Sequence, residues 1–214
     1  MTELDSREKI LRAAIAVFAD KGKYGAKMEE IAVKAGVNKA MVYYYYSTKE
    51  NLYQEILRYV ISQNLSRIYR RVDQIITEST DPIDTLKQIV SVFFDVFSSE
   101  KTYTKLVLEA ISSEPQEYEQ ILRQIKFDLN LNIPGKFLNF LEKGMAQHIF
   151  RRVEPKQLLL SIVAMSMFYF FGKPALKVFL DLQIEDEQIF LKERQEAIID
   201  LILFGITETG QKDA

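Results

Sequence analysis

Along almost the whole chain, apolar residues recur at spacings of three and four, and that periodicity admits helices and little else. Ile10, Leu11, Ala14, Ile15 and Phe18 form the first such stripe. Asp5 and Glu8 stand before it at capping-box spacing, and Gly22 ends it. The spacing predicts a second, short helix over Met28 to Ala35, burying Ile31, Ala32 and Ala35 and stopping at Gly36. Asn38 is a good N-cap for a third short helix, and Ser47 with Glu50 forms a capping box that opens a long helix. Pro82 suits the first turn of the next helix. Further helices are predicted at roughly 83–98, 102–112, 115–131, 135–146, 155–171 and 187–207. No Asn-Gly or Asp-Gly hairpin turn and no alternating strand pattern intervenes, so the expected fold is all-α.

Composition narrows the chemistry. The 214 residues contain no cysteine, which excludes a disulfide framework, thiolate metal sites and cysteine nucleophiles. A single histidine, His148, leaves little material for a metal site, and its place shortly after Gly144 suits a surface or capping role. A diiron bundle needs a Glu-x-x-His motif on two helices, which one histidine cannot supply. There are no paired carboxylates at a pocket, no Gly-rich phosphate loop and no nucleophile motif, so neither an enzyme nor a cofactor is expected. The longest apolar run, Leu158 to Phe171, has 14 residues, short of the roughly 18 of a spanning helix; a buried core helix is expected there. No charged start followed by an apolar stretch appears, so the expected location is the cytoplasm, without membrane contact.

The stretch "NKAMVYYYYSTKE", residues 38 to 50, puts four tyrosines in a row. On a helix they point in four directions about 100° apart, so some must face outward. Val42 and Tyr46, four apart, share the inward face; Lys39 and Tyr43 share another, with Ala40 and Tyr44 beside it and Tyr45 between. Two short helices joined through "KAGVNKA" make a helix-turn-helix pattern. Neither is stable alone, so packing of Phe18, Ile31, Val37 and Val42 must hold them. Lys27, Lys39 and Lys49 each stand at a helix start, where a cation opposes the macrodipole but a bound anion would reverse the sign. Three such sites around one short helix suit a phosphate backbone, with tyrosine hydroxyls adding neutral contacts. Residues 1–50 carry a net charge of +2 and the remainder −4, an asymmetry too mild to argue from by itself.

"REKILRAAIAVFADKGKYGAKMEEIAVKAGVNKAMVYYYYSTKENLYQEIL", residues 7 to 57, closely resembles the TetR family of transcriptional regulators. "IAVKAGV", "VYYYY" and "STKENL" fall at the family's spacing. The resemblance implies a DNA-binding domain over 1–50, a linking helix over 47–79, and a helical domain over 51–214 that dimerises and senses a ligand. It implies DNA contacts at Lys39, Ala40, Met41, Tyr43, Tyr44, Tyr45 and Lys49, the last on a phosphate; Asn38 and Lys27 complete the candidate set. Lys27 stands where the family usually has threonine, Asn38 where it has serine and Ala40 where it has glycine. "GMAQHIFRRVEPKQLLLSIVAMSMFYFF" is similar, less specifically, to the family's passage from helix seven into helix eight.

The rest of the chain is then expected to be sensor and dimer interface. Few charges interrupt its apolar stripes, so a small apolar or aromatic effector is expected, with Phe93, Phe97, Phe127, Phe140 and Phe168 as candidate lining. The last two long helices are apolar on more than one face, which predicts a homodimer on a palindromic double-stranded operator. The function expected is a ligand-released repressor; the alternative is a helical protein-interaction module without ligand sensing.

Overall fold

The structure, a computed structural model, describes residues 3–129 and 133–207. Among them are ten helices: α1 (Glu3–Gly25), α2 (Met28–Ala35), α3 (Lys39–Tyr46), α4 (Lys49–Glu78), α5 (Pro82–Ser99), α6 (Lys101–Ser113), α7 (Pro115–Asp128), α8 (Ile133–Ala146), α9 (Pro155–Phe179) and α10 (Glu187–Ile206). The only bridge among the described residues pairs Phe150 with Thr207, so the all-α expectation holds. The chain divides into two compact units. One takes the residues through Asn64 together with α6 and α7; the other takes Leu65–Ser99 together with α8, α9 and α10. The helix expected over 115–131 ends at Asp128, with Leu129 as its C-cap, and residues 130–131 lie outside the described part.

In the first unit, α1 supplies Ile10, Ala14 and Phe18, all at most 1% exposed, to a core completed by Ile31, Val42, Leu52, Tyr53, Ile56, Leu106 and Ala110. The Phe18 and Tyr53 rings meet at 5.1 Å. Asp5 lies inside α1 rather than before it, so the capping box expected there does not mark the helix start. Gly22 does interrupt the helix, at φ 69° and ψ 175°, a conformation that glycine adopts without steric cost. The break frees the Lys23 N–H, which donates to Glu109 Oε1 of α6 at 3.0 Å, while the Tyr53 hydroxyl donates to Glu109 Oε2 at 3.1 Å. Lys23 Nζ reaches Glu114 at 3.2 Å and Glu117 at 3.0 Å. Polar contacts from α6 and α7 thus shape the end of α1, from which the chain enters α2.

In the second unit, α5 presents Leu86, Ile89, Val90, Phe93, Phe94 and Val96 to α9 and α10. Rings fill this core: Phe94 meets Phe170 at 6.1 Å, Phe137 meets Phe140 at 6.4 Å, and Phe140 meets Phe150 at 5.8 Å. His148 occupies a left-handed turn after α8 at φ 56°, on the surface. The expectation for the apolar run 158–171 is corrected here. Its helix, α9, extends to Phe179 and is not a core helix: the buried positions are Ile162, Ser166, Tyr169 and Gly172. By length and composition alone α9 could cross a membrane. Its exposed face instead carries Leu160, Phe168, Phe171 and Val178, 61%, 48%, 63% and 72% exposed.

Candidate nucleic-acid interface

The turn between α2 and α3 is built from local sequence. Gly36 closes α2 in the left-handed region, φ 67° and ψ 33°, and its N–H donates back to the carbonyls of Ala32 and Val33. Val37 N–H reaches Ala32 O at 3.0 Å, completing a Schellman closure. Asn38 then caps α3: its Oδ1 accepts from Met41 N–H at 2.8 Å. These two devices set the angle at which α3 leaves the turn.

The faces of α3 fall as its periodicity requires. Val42 and Tyr46 are buried, at 0% and 3% exposure, and Tyr45 is half-buried. Lys39, Ala40, Tyr43 and Tyr44 form the open face, with Tyr44 74% exposed, and Met41 is half-buried. The Tyr44 and Tyr45 rings stack edge-on at 5.2 Å, which fixes the direction of the outer hydroxyl. Inward, Tyr46 donates its hydroxyl to Arg7 O at 3.3 Å, and burial raises its ionisation above the ordinary tyrosine range.

Each of the three lysines has a local environment. Lys27 is the N-cap of α2 with no side-chain cap, leaving the first amides of α2 without a hydroxyl partner from that position. Lys49 Nζ donates to Ala26 O at 3.3 Å and Tyr24 O at 3.4 Å, so its ammonium sits where the chain passes from α1 into α2. Lys39 lies over the Tyr43 ring, 5.5 Å from its centroid, and forms an ion pair with Glu29 of α2. Hydrogen bonding to Glu29 raises Lys39 above its ordinary value, and the same bond holds Glu29 below the usual carboxylate range. The sequence reading passed over Glu29. Its position in the first turn of α2 marks it only as an acid favourable to that helix end, and the pairing with Lys39 is a product of the turn.

The capping box at the start of α4 is corrected. Ser47 cannot serve as an N-cap, because it stands at φ 58° and ψ −52°. It is the centre of a γ-turn in which Thr48 N–H donates to Tyr46 O at 2.6 Å, while Ser47 N–H closes α3 on Tyr43 O at 2.8 Å. The cap of α4 is Thr48, whose Oγ1 accepts from Asn51 N–H at 3.1 Å.

The five phenylalanines expected as an effector lining fall in different settings. Phe93, Phe97 and Phe140 belong to the apolar core of the second unit. Phe127 is 86% exposed on α7, in the first unit, and Phe168 is 48% exposed on α9. Clefts of about 500 Å³ and about 490 Å³ do open in the second unit. One is lined by Arg71, Gln74, Ile75, Glu78 and Asp84, and the other by Arg151, Leu158, Met165, Leu201 and Ile206. Neither touches those five rings.

A compact head that presents a short, tyrosine-bearing helix from a capped turn, followed by a long connecting helix, defines a DNA-binding regulator of the helix-turn-helix class. The family model "Bacterial regulatory proteins, tetR family" matches residues 10–56, and "Tetracyclin repressor-like, C-terminal domain" matches 82–202. The chain belongs to the TetR family, and like its relatives it is a transcriptional regulator and not an enzyme. It is 26% identical over 185 residues to the HTH-type transcriptional repressor NicS of Pseudomonas putida, covering 86% of this chain and 84% of that one. It is 27% identical to the icaADBC negative transcriptional regulator IcaR of Staphylococcus aureus, over 64% of this chain and 70% of that one. The transcriptional activator FasR of Mycolicibacterium smegmatis is 32% identical over 55% of this chain, which spans about half (52%) of that relative. Among solved structures, PfmR of Thermus thermophilus matches with a TM-score of 0.66 at 20% identity, over 91% of this chain and 96% of that one. KstR2 of Mycobacterium tuberculosis matches with a TM-score of 0.66 at 17% identity, over 94% and 95%. At these identities the two structures speak for the fold alone.

Proposed function

We propose that this regulator is a cytoplasmic repressor that binds a palindromic operator as a homodimer and leaves it when a small apolar or aromatic effector binds. The observation that carries the DNA side is the open face of α3, with Lys39, Ala40, Tyr43 and Tyr44 outward and the Lys27 and Lys49 ammoniums at the neighbouring helix starts. In this reading α3 enters the major groove, Tyr44 and Tyr43 reach phosphates or base edges, and Lys49 leaves its two carbonyl partners for a phosphate. Repression, rather than activation, is supported by the function of NicS and IcaR.

Dimerisation is supported by the uncovered stripes of α9 and α10. Leu201 and Phe204 of α10 are 63% and 75% exposed, alongside the open face of α9. Two helices from each copy would make a four-helix interface about a two-fold axis, setting the reading heads about 34–36 Å or more apart. The effector reading assigns the second unit as the sensor, and the connecting element is α4, unbroken from Lys49 to Glu78. An effector that shifted its distal part, Tyr69 to Ile76, would respace the heads. Such linkage typically amounts to ~1–3 kcal/mol, a roughly 5- to 150-fold loss of DNA affinity, and operator must weaken effector binding equally.

Selecting duplexes from a random library with the purified protein tests this reading. A palindromic consensus with half-sites about one helical turn or more apart is expected. Binding that selects no sequence, or no retention on duplex DNA at low salt, would refute it and favour an interaction module.

A further inference from the structure

Glu29 puts a carboxylate at the edge of the face assigned to DNA, where it repels every phosphate within a Debye length of about 8–10 Å. Helix capping does not require it there. Glu30 supplies a negative charge to the same first turn and is held by Lys21 at 2.5 Å. Nor is stability a sufficient reason: Glu29 and Lys39 are 58% and 51% exposed, and ion pairs so placed contribute little. Glu29 is instead turned onto the one cation that opens the reading helix. Lys39 is thereby held between two partners, the Glu29 carboxylate and the Tyr43 ring.

We propose that the Glu29–Lys39 pair is a specificity device that opens across a single G·C base pair, Lys39 donating to guanine O6 and N7 and Glu29 accepting from cytosine N4. The proposal rests on α3 being the reading helix. In the major groove guanine offers only acceptors at O6 and N7, and its cytosine partner offers a donor at N4. An ammonium and a carboxylate held as a pair at the groove edge match that pattern, and both exchange one charged partner for a base. Where adenine replaces guanine and thymine replaces cytosine, Lys39 keeps N7 alone and faces the N6 amine, and thymine presents an acceptor and a methyl group, so the carboxylate has no donor on that base. On non-operator DNA the pair stays closed, so Lys39 is neutralised and offers the phosphates no net positive charge. The device therefore lowers affinity for all DNA and restores it at the matching site. Lys27 is the other cation near Glu29 and adds to holding it ionised.

The test uses full-length protein, a duplex selected by the wild type, the same duplex with each G·C changed purine for purine to A·T, and a random duplex. Wild type should lose about 5- to 150-fold at one G·C position per half-site. Glu29→Gln should bind the random duplex about fivefold more tightly, as removal of one charge beside a phosphate implies, and should discriminate less at that position. Lys39→Met should bind all duplexes more weakly and discriminate less at that position, and adding Glu29→Gln to it should remove the discrimination that remains. Glu30→Gln serves as the charge control and should leave the preference for G·C intact. Because both glutamates are on the surface, circular dichroism and the melting temperature should confirm folded variants. The proposal is overturned if Glu29→Gln keeps full discrimination at every position, or if Glu30→Gln loses it equally. A wild type that bound no duplex would overturn the operator reading itself, and this proposal with it.

Discussion

Gly144→Ala sets two well-defined effects against each other. Gly144 lies in α8, where alanine would ordinarily stabilise a helix by about 1 kcal/mol over glycine. A Cβ built there would stand 2.2 Å from Phe150 Cδ2 and 2.4 Å from Cε2, so the ring would have to retreat by about 1.5 Å to reach ordinary contact. Phe150 is poorly placed to retreat. It is 1% exposed, its ring abuts Phe140 at 5.8 Å, and its N–H is tied to Gly144 O at 3.2 Å. Overpacking of this kind costs about 1–3 kcal/mol, and expelling the ring about 3–5 kcal/mol. With about 3 kcal/mol lost and about 1 kcal/mol gained, a net destabilisation of about 2 kcal/mol is expected. For a chain of this size that corresponds to a melting point lower by about 4–8 °C. Thermal unfolding at fixed protein concentration measures it, since any dimer makes the midpoint depend on concentration. Phe150→Leu should relieve part of the penalty in the double variant, a coupling that a cycle resolves. A melting point for Gly144→Ala equal to or above wild type would refute the packing argument.

Lys49→Ala is expected to weaken binding to operator and random duplexes alike and to flatten the salt dependence by about one ion; gel shifts over a salt series read both, and unchanged binding at every salt would remove Lys49 from the interface. Phe204→Glu, at a position 75% exposed, should leave each chain folded yet shift the species at micromolar concentration to a monomer, as light scattering would report. Burial first, and then the Glu109 charge, push the Tyr53 hydroxyl well above its ordinary range. Its contribution to stability is thus fully present below pH about 10, the unfolded value, and is lost as pH rises further. Tyr53→Phe should therefore flatten the alkaline limb of stability against pH, and an identical limb in both proteins would count against that assignment.

Much of the head was legible in the sequence, because its determinants are local. Gly36 and Asn38 set the turn through bonds spanning at most five residues, and the rotation of about 100° per residue by itself sorted Tyr46 inward and Tyr44 outward. The bounds of α2 follow for the same reason. What the tertiary structure decided involves partners distant in sequence, or backbone states that residue type does not announce. Ser47 and Thr48 are equally good caps by type; the γ-turn that closes α3 left the role to Thr48. Glu109 finds the break in α1 from 86 residues away, and α6 and α7 join the compact unit of the helix-turn-helix, which no local pattern indicates. Lys39 and Glu29 look like independent surface charges until the turn brings them together. The apolar stripes show the same division: periodicity identifies a face that must leave water, but not what covers it. Phe93 and Phe168 read alike in sequence, yet one is 5% exposed in the chain's own core and the other 48% exposed on α9. Hydrophobic burial is non-directional, so only the packed fold separates a core residue from one left for another surface.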